Sequence, residues 1–424
     1  SSDLGVDAGA RHPTALHALS STACQMSAVD RGDAASRWLA FTHPGFTRYW
    51  VALLCANFSV QIQTVAVGWQ VYDITRDPLD LGLVGLSQFL PSLALVLVTG
   101  AVADRFPRKV IITLCIMVEA LCAAGLLALT LAGSTDVRLV FAILVLFGTA
   151  RAFFNPARQS IVSNLVPAAH LPNAITQATT AFHVSTIAGP MLGGLLYGVT
   201  PELAYGVSLL LLGTAIGFAL SIPRPVQAPS QQSRTWASLV AGFSYIWRAK
   251  VLLGAISLDL FAVLLGGAVA LLPVYARDIL DVGPFGLGML RAAPGIGALI
   301  VGFYLMSNPI RDNAGRTMLV AVALFGVFTA VFAVSELVWL SVLSLFLIGG
   351  CDMVSVFVRN TLVQLWTPDA LRGRVNAVNQ VFVGASNELG AFRAGGTAAL
   401  LGAVPAVLAG GIGCLAVAAL WARA

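Results

Sequence analysis

Seven ionisable side chains sit inside long apolar stretches of the chain: Glu119, Arg151, Asp259, Arg291, Asp352, Glu388 and Arg393. In hydrocarbon such groups are expensive unless they are paired or face water, so chemistry is expected at these positions. It is not the chemistry of an enzyme. His12, His17, His43, His170 and His183 lack metal-ligand spacing, and neither a G-x-S-x-G turn nor a phosphate-cradling loop occurs. No metal, cofactor or ATP site is therefore expected. A carboxylate beside an arginine at membrane depth can exchange its ion pair for a proton, so that protonation and solute occupancy compete.

Positioning these groups requires membrane-spanning elements, and the composition supplies them. The 424 residues are 58% hydrophobic and only 10% charged, which excludes an ordinary soluble domain. The net charge of +5 is not gathered into a basic run, which excludes a simple nucleic-acid binder. Six cysteines without CxxC pairing point to neither a disulfide framework nor zinc. A window of about 20 apolar residues finds twelve candidate spans, with cores at 49–72, 80–102, 110–132, 138–157, 173–198, 203–222, 251–275, 284–306, 317–334, 337–358, 375–399 and 403–421. Of the 24 Lys and Arg, 18 lie on the side of the termini, 3 on the other side and 3 within spans. The positive-inside bias thus places both termini in the cytoplasm. Residues 1–47 read as a polar, disordered tail, 48–222 as one six-helix bundle, 223–250 as a central cytoplasmic loop with an interfacial helix, and 251–424 as a second bundle.

The two bundles repeat one another. Val71-Tyr72, Gly85 and Pro91 match Val274-Tyr275, Gly288 and Pro294 at an offset of 203 residues, and Arg158 and Pro167 match Arg359 and Pro368 at 201. NAITQ (173–177) likewise matches NAVNQ (376–380). The order of corresponding helices is kept, so the expected fold is an all-α membrane protein, twelve transmembrane helices in two pseudo-symmetric six-helix bundles around a midplane cavity.

On that frame Arg151, Asp259 and Asp352 each lie about 12 Å from the cytoplasmic side, at 1.5 Å per residue. Arg151 and Asp352 hold equivalent positions, which suggests a pair that either titrates or is purely structural. Asp259 shares a face with Ala255, Ala262, Gly266 and Pro273, has no partner at its level, and reads as the best proton carrier. Asn57, Gln61 and Thr64 recur at helical spacing in the first span, as do Asn376, Gln380 and Asn387 in the eleventh. Such stripes read as a cavity wall, or else as interhelical hydrogen bonding. Glu388 and Arg393 are five apart and do not face each other; Asp278, Asp281 or Glu336 are the expected partners of Arg393. Glu119 reads as a packing pair outside the cavity.

Two motifs identify a family. GAVADRFPRK (100–109) resembles the G-x-L-A-D-R-x-G-R-K signature of the major facilitator superfamily, with Val102 for Leu and Pro107 for Gly; Asp312 to Arg316 is a worn second copy. The resemblance implies a conformational latch made by Gly100, Asp104, Arg105, Arg108 and Lys109, where a plainer reading is a basic cluster that fixes topology. Gly189, Pro190, Gly193 and Gly194 resemble the core of the antiporter motif of facilitator exporters, where ordinary small-residue packing is the alternative. Wider stretches, among them VAVGWQVYDITRDPLDLGLVGLSQFLPS (65–92) and NPARQSIVSNLVP (155–167), are similar to the branch of enterobactin exporters and macrolide efflux proteins. What this implies is a monomeric, multi-pass protein of a bacterial inner membrane that exports small organic solutes by alternating access and proton antiport. It also implies that the first, fourth, seventh and tenth spans line the cavity. Alternatives on the same scaffold are a lysophospholipid-type lipid transporter and a non-transporting receptor or assembly factor.

Overall fold

Runs of Leu, Ala, Val and Gly with few breakers fold as long helices, because in hydrocarbon each backbone group must be bonded within its own segment. The computed structural model describes residues 38–223, 236–308, 310 and 313–423. The tail before Trp38, the loop 224–235 and Asp312 in the second loop copy lie outside the described residues.

A 3-10 turn, Leu39–Thr42, is tied down by Asn173, whose Oδ1 accepts from the Ala40 amide at 3.0 Å. α1 (Pro44–Thr75) begins directly after it, with Pro in the first turn where a missing N–H is harmless. The second segment is divided at Leu95, four residues after Pro91, into α2 (Pro78–Ala94) and α3 (Val96–Arg105). α4 (Arg108–Leu131), α5 (Val137–Leu165), α6 (Leu171–Val199) and α7 (Pro201–Ser221) complete the first half. After α8 (Trp236–Arg248), the second half comprises α9 (Lys250–Leu265), α10 (Gly283–Ser307), α11 (Ala314–Val334), α12 (Val338–Trp366), α13 (Asp369–Leu401) and α14 (Ala403–Trp421). Among the described residues ten segments are long and apolar enough to cross a bilayer. The other two expected spans are helical as well. One is the segment broken at Leu95, and the other is α13, whose polar stripe lowers its hydropathy.

Packing follows one plan in both halves. α1 packs on α6 and α7, α4 on α5 and α7, and α2 on α5; correspondingly α9 packs on α13 and α14, α11 on α12 and α14, and α10 on α12. The halves meet along two seams, α6 with α10 and α2 with α13, and the seams are copies of each other. A Cβ on Gly288 would lie 3.1 Å from the Met191 Cα, and one on Gly82 would lie 3.0 Å from the Phe392 Cα. Met191 and Phe392 are related by the 201-residue offset, and each glycine ends a Pro-x-x-x-Gly step, Pro78 to Gly82 and Pro284 to Gly288. At the seam, therefore, the partner of Gly288 in the repeat is Gly82, one turn before the Gly85 that sequence matching selects.

The two ends of the bundle differ. At the end carrying Arg76 and Arg277 one apolar cluster is shared by both halves, Trp69, Tyr72 and Leu81 with Leu271, Val274 and Leu287. At the Lys109 end each half keeps its own cluster: Phe46, Ile112 and Ile161 in the first, Leu258, Met318 and Val358 in the second. α8 belongs to the second half. Tyr245 donates to the Trp366 carbonyl at 2.5 Å, and Ile246 packs with Leu252, Val375 and Val378.

The seventh span is not continuous. α9 stops before Gly266 and Gly267, and the chain resumes as a 3-10 turn (Ala268–Leu271), a single turn (Leu272–Val274) and a π turn (Tyr275–Ile279). Broken backbone at membrane depth must find donors elsewhere. Arg393 supplies them, from Nε to the Leu264 carbonyl at 3.0 Å and from Nη2 to the Leu265 carbonyl at 2.6 Å. This corrects the acidic partners expected for Arg393: the freed carbonyls are the acceptors it meets. Arg393→Met is expected to destabilise the protein by about 1–3 kcal/mol per unpaired carbonyl, read as a lower thermal midpoint in detergent. Arg393→Lys, which keeps one donor, should recover part of the loss.

Candidate functional site

The seams enclose a cavity of about 420 Å³. Its walls are mostly apolar: Val67 of α1, Leu81 and Val84 of α2, Leu144 and Phe147 of α5, Leu345 and Ile348 of α12, and the broken stretch Gly266 to Ala270. A mostly apolar chamber with a few placed polar groups is the usual form of a small-molecule site. The polar groups here are Gln63, Thr64, Gln88 and Asn387, and the charged ones among the described residues are Arg291, Asp352 and Glu388.

Arg291 on α10 and Glu388 on α13 come from different helices of the second half and line the same cavity, and no direct ion pair joins them among the described residues. Both reach the first half where it presents glycine. A Cβ on Gly85 would stand 2.6 Å from Glu388 Oε2, and one on Gly68 would stand 4.0 Å from Arg291 Nη2. The Arg291 Nε is buried and has no hydrogen-bond partner in the protein. This juxtaposition is missed by helical spacing, which tests Glu388 only against residues of its own helix. The one signal available was that both residues are ionisable and lie within spans.

One expected pairing and one expected isolation are corrected. Arg151 does not meet Asp352; it turns toward α4, where its Nη1 lies 3.6 Å from Oε1 of fully buried Glu119, with its guanidinium over the Phe154 ring. Neither member of this pair lines the cavity. Asp259 is not isolated: it forms an ion pair with Arg359 and accepts from Ser355 Oγ at 2.6 Å, all three within the second half. The sequence marks Arg359 only as the repeat of Arg158. Asp352 lines the main cavity and, with Asp259, Ser355 and Phe325, also borders a small adjoining void.

Of the expected polar wall, Thr64 and Asn387 line the cavity. Asn57 is buried elsewhere with its amide nitrogen unpartnered, and Gln61 lies under Gly189, its Cβ 2.6 Å from where a glycine Cβ would be. Asn376 and Gln380 are exposed toward the Lys109 end. Gln63 and Gln88 take up positions that the stripe did not select. Gln63 is fixed by donating to Ser59 Oγ at 3.0 Å.

The motif glycines split their contacts. Gly189 and Gly193 sit against α1, at Gln61 and Ile62, whereas Gly194 faces α10 across the seam at Pro284, Phe285 and Gly288. The backbone of Pro190 lies beneath Gly288. In the loop motif, Arg108 donates to the Ser160 carbonyl at 2.7 Å and to Asn164 Oδ1 at 2.5 Å, and Lys109 donates to the carbonyls of Leu220 at 2.8 Å and Ile222 at 2.5 Å. These acceptors lie at the C-terminal ends of α5 and α7, where the helix dipole favours cations. Both contacts are internal to the first half. Gly100 lies in α3 and Arg105 is exposed at its end, while the side chain of Asp104 lies outside the described residues.

An unforeseen closure spans the halves at the opposite end. Tyr72 donates to Asp278 Oδ2, Arg277 pairs with Asp73, and Arg76 approaches Asp278 at 3.5 Å. Arg277 also lies 5.5 Å above the Trp69 ring. Arg76 also lies 3.9 Å from Asp73 of its own half, but the Arg277–Asp73 and Arg76–Asp278 pairs cross between the halves, so these cross-links exist only while this end is shut.

Known proteins agree with this architecture. The family described as transmembrane secretion effector matches residues 35–424. The chain is 29% identical over 392 residues to the enterobactin exporter EntS of Shigella boydii serotype 4 (strain Sb227), covering 89% of this chain and 91% of that protein. The same identity holds over 393 residues for EntS of Escherichia coli O81 (strain ED1a), with the same coverage. Among solved structures, the nucleoside transporter NupG superposes with a TM-score of 0.68 at 15% identity, covering 89% of this chain and 98% of that one. A bacterial homologue of the human lysosomal transporter Spinster, inward-facing and occupied, gives 0.71 at 14%, with 92% and 97% covered. With two mirrored seams around a charged central cavity and a family match over nearly its whole length, the chain belongs to the transmembrane secretion effectors, a family of membrane proteins on the major facilitator fold.

Proposed function

We propose that this protein is a secondary active exporter that carries an organic solute of the siderophore or drug type through the central cavity by alternating access, driven by proton exchange. The observation that carries this reading is the cavity itself, enclosed between two repeats, holding three ionisable groups and sealed at one end by contacts that only a closed state can make. The names of the relatives favour export and a siderophore-like cargo. Lys and Arg concentrated at the Lys109 end favour a cytoplasmic position for that end and for both termini, in a bacterial inner membrane. Separate apolar clusters of the two halves at that end favour access from the cytoplasm in this state.

The coupling carboxylate is Asp352. Among the described residues it alone of the acids borders both the cavity and the void next to Asp259, so a proton taken there can compete with a solute in the cavity. Asp104 and Arg105 remain the candidates for a latch that forms when the Lys109 end closes, whereas Arg108 and Lys109 brace the first half. The test is accumulation of enterobactin in inverted membrane vesicles. Uptake is expected to require an imposed proton gradient and to be lost in Asp352→Asn at unchanged membrane abundance. Full accumulation in the presence of a protonophore, or uphill transport by Asp352→Asn, would remove proton coupling at this site.

A further inference from the structure

We propose that Arg291 orients the solute by taking a planar anionic oxygen group carried on an apolar aromatic body, and that Glu388 is the internal occupant that neutralises Arg291 while the cavity is empty. The inference rests on the cavity being the solute site.

An arginine offers five donors in a rigid fork that matches a carboxylate bidentately. In this chamber the Arg291 Nε remains buried without an acceptor. Glu388 reaches into the space left open by Gly85 of the other half, where a Cβ would stand 2.6 Å from its Oε2. Both groups thus open on the same cavity without a direct ion pair between them, and an oxygen group entering that cavity can meet the unbonded fork. Around them Val84, Phe147 and Ala391 supply apolar contact for the rest of such a solute. The only other charged group on the walls, among the described residues, is Asp352 on α12. A cationic solute would turn to Asp352 and Glu388 instead of Arg291, and the two possibilities make opposite demands on the same variants.

The experiment is equilibrium binding of three probes of one shape, naphthoate, naphthamide and naphthylmethylammonium, to the full chain in nanodiscs. Wild type is expected to prefer naphthoate to naphthamide. Arg291→Gln should weaken naphthoate about 30-fold and leave naphthamide unchanged, which also reports that the cavity is intact. Arg291→Lys should restore only part of the preference. Glu388→Gln removes the competitor and should tighten naphthoate about tenfold. Should Arg291→Gln fail to fold, the wild-type ratio and Glu388→Gln decide. Equal naphthoate and naphthamide affinities in wild type, tighter naphthylmethylammonium, no binding of any probe, or weaker naphthoate in Glu388→Gln would each overturn the proposal. Gradient-driven transport, measured separately, keeps the outcomes distinct: transport without anion preference sinks only this inference, and anion preference without transport sinks only the exporter reading.

Discussion

Arg359→Leu should be among the most damaging single substitutions in the molecule, costing about 3–5 kcal/mol, because it leaves Asp259 buried without its counter-ion. Asp259 would retain only the Ser355 hydroxyl, and a lone hydroxyl offsets little of the cost of a charge in an apolar interior. The double variant Asp259→Leu/Arg359→Leu should regain most of that stability, since the residues then bury apolar surface where they buried charge. Thermal midpoints of the single and double variants in detergent read this directly. Losses that simply add would show that the two charges do not serve each other. Transport by the double variant separates structure from coupling. If the folded double variant still drives uphill transport, Asp259 is a brace and the proton work rests on Asp352.

Gly194→Leu is expected to reduce transport at least as severely without unfolding either half. Its Cβ would lie 3.1 Å from the Phe285 Cα and 3.2 Å from the Gly288 Cα, and both are backbone atoms that cannot swing away as a side chain does. The seam between α6 and α10 has to spread. Overpacking costs about 1–3 kcal/mol, and here the penalty falls on the packed state alone, so its population drops by up to about 100-fold. Cysteine cross-linking between α6 and α10 should fall together with transport, and Gly395→Leu on the mirrored seam should behave alike, because a Cβ there meets the backbone of Pro78 and Gly82. Normal cross-linking and normal transport in both variants would show that the seams tolerate side chains and do not govern the cycle.

The architecture was legible in the sequence because each of its causes is local. Hydrophobic windows give spans, and the 201- to 203-residue echoes give two halves. Breaks were less legible. Pro91 announces a kink, but nothing in GGAVALLP (266–273) distinguishes a helix that stops from one that bends, and the deciding donor, Arg393, lies 128 residues from Leu265. The site was legible as a set of residue types and illegible as a set of pairs. Equivalent depth put Arg151 opposite Asp352, yet depth leaves the azimuth free, and Arg151 points to Glu119 on the far side of its helix. Helical spacing tests Asp259 only against its own helix, whereas Arg359 approaches from α12. A one-dimensional pattern reports what a helix carries, not which helix stands opposite.

The short stretch beyond the glycine joint at Gly266 and Gly267 has a mechanical consequence. Its near end, Ala268 to Ala270, is cavity wall, and its far end carries Arg277 and Asp278. Neither glycine has room for a side chain, since a Cβ on Gly266 would run into the Phe325 ring and one on Gly267 would lie 2.6 Å from the Gly390 carbonyl oxygen, and Arg393 pins the helix on one side of the break without gripping the other. The stretch thus has the form of a lever whose short arm borders the cavity and whose long arm bears the lock. On the proposed cycle, a displacement of the wall by a bound solute would be magnified at the lock, so the lock would loosen by leverage before either half had rotated as a body.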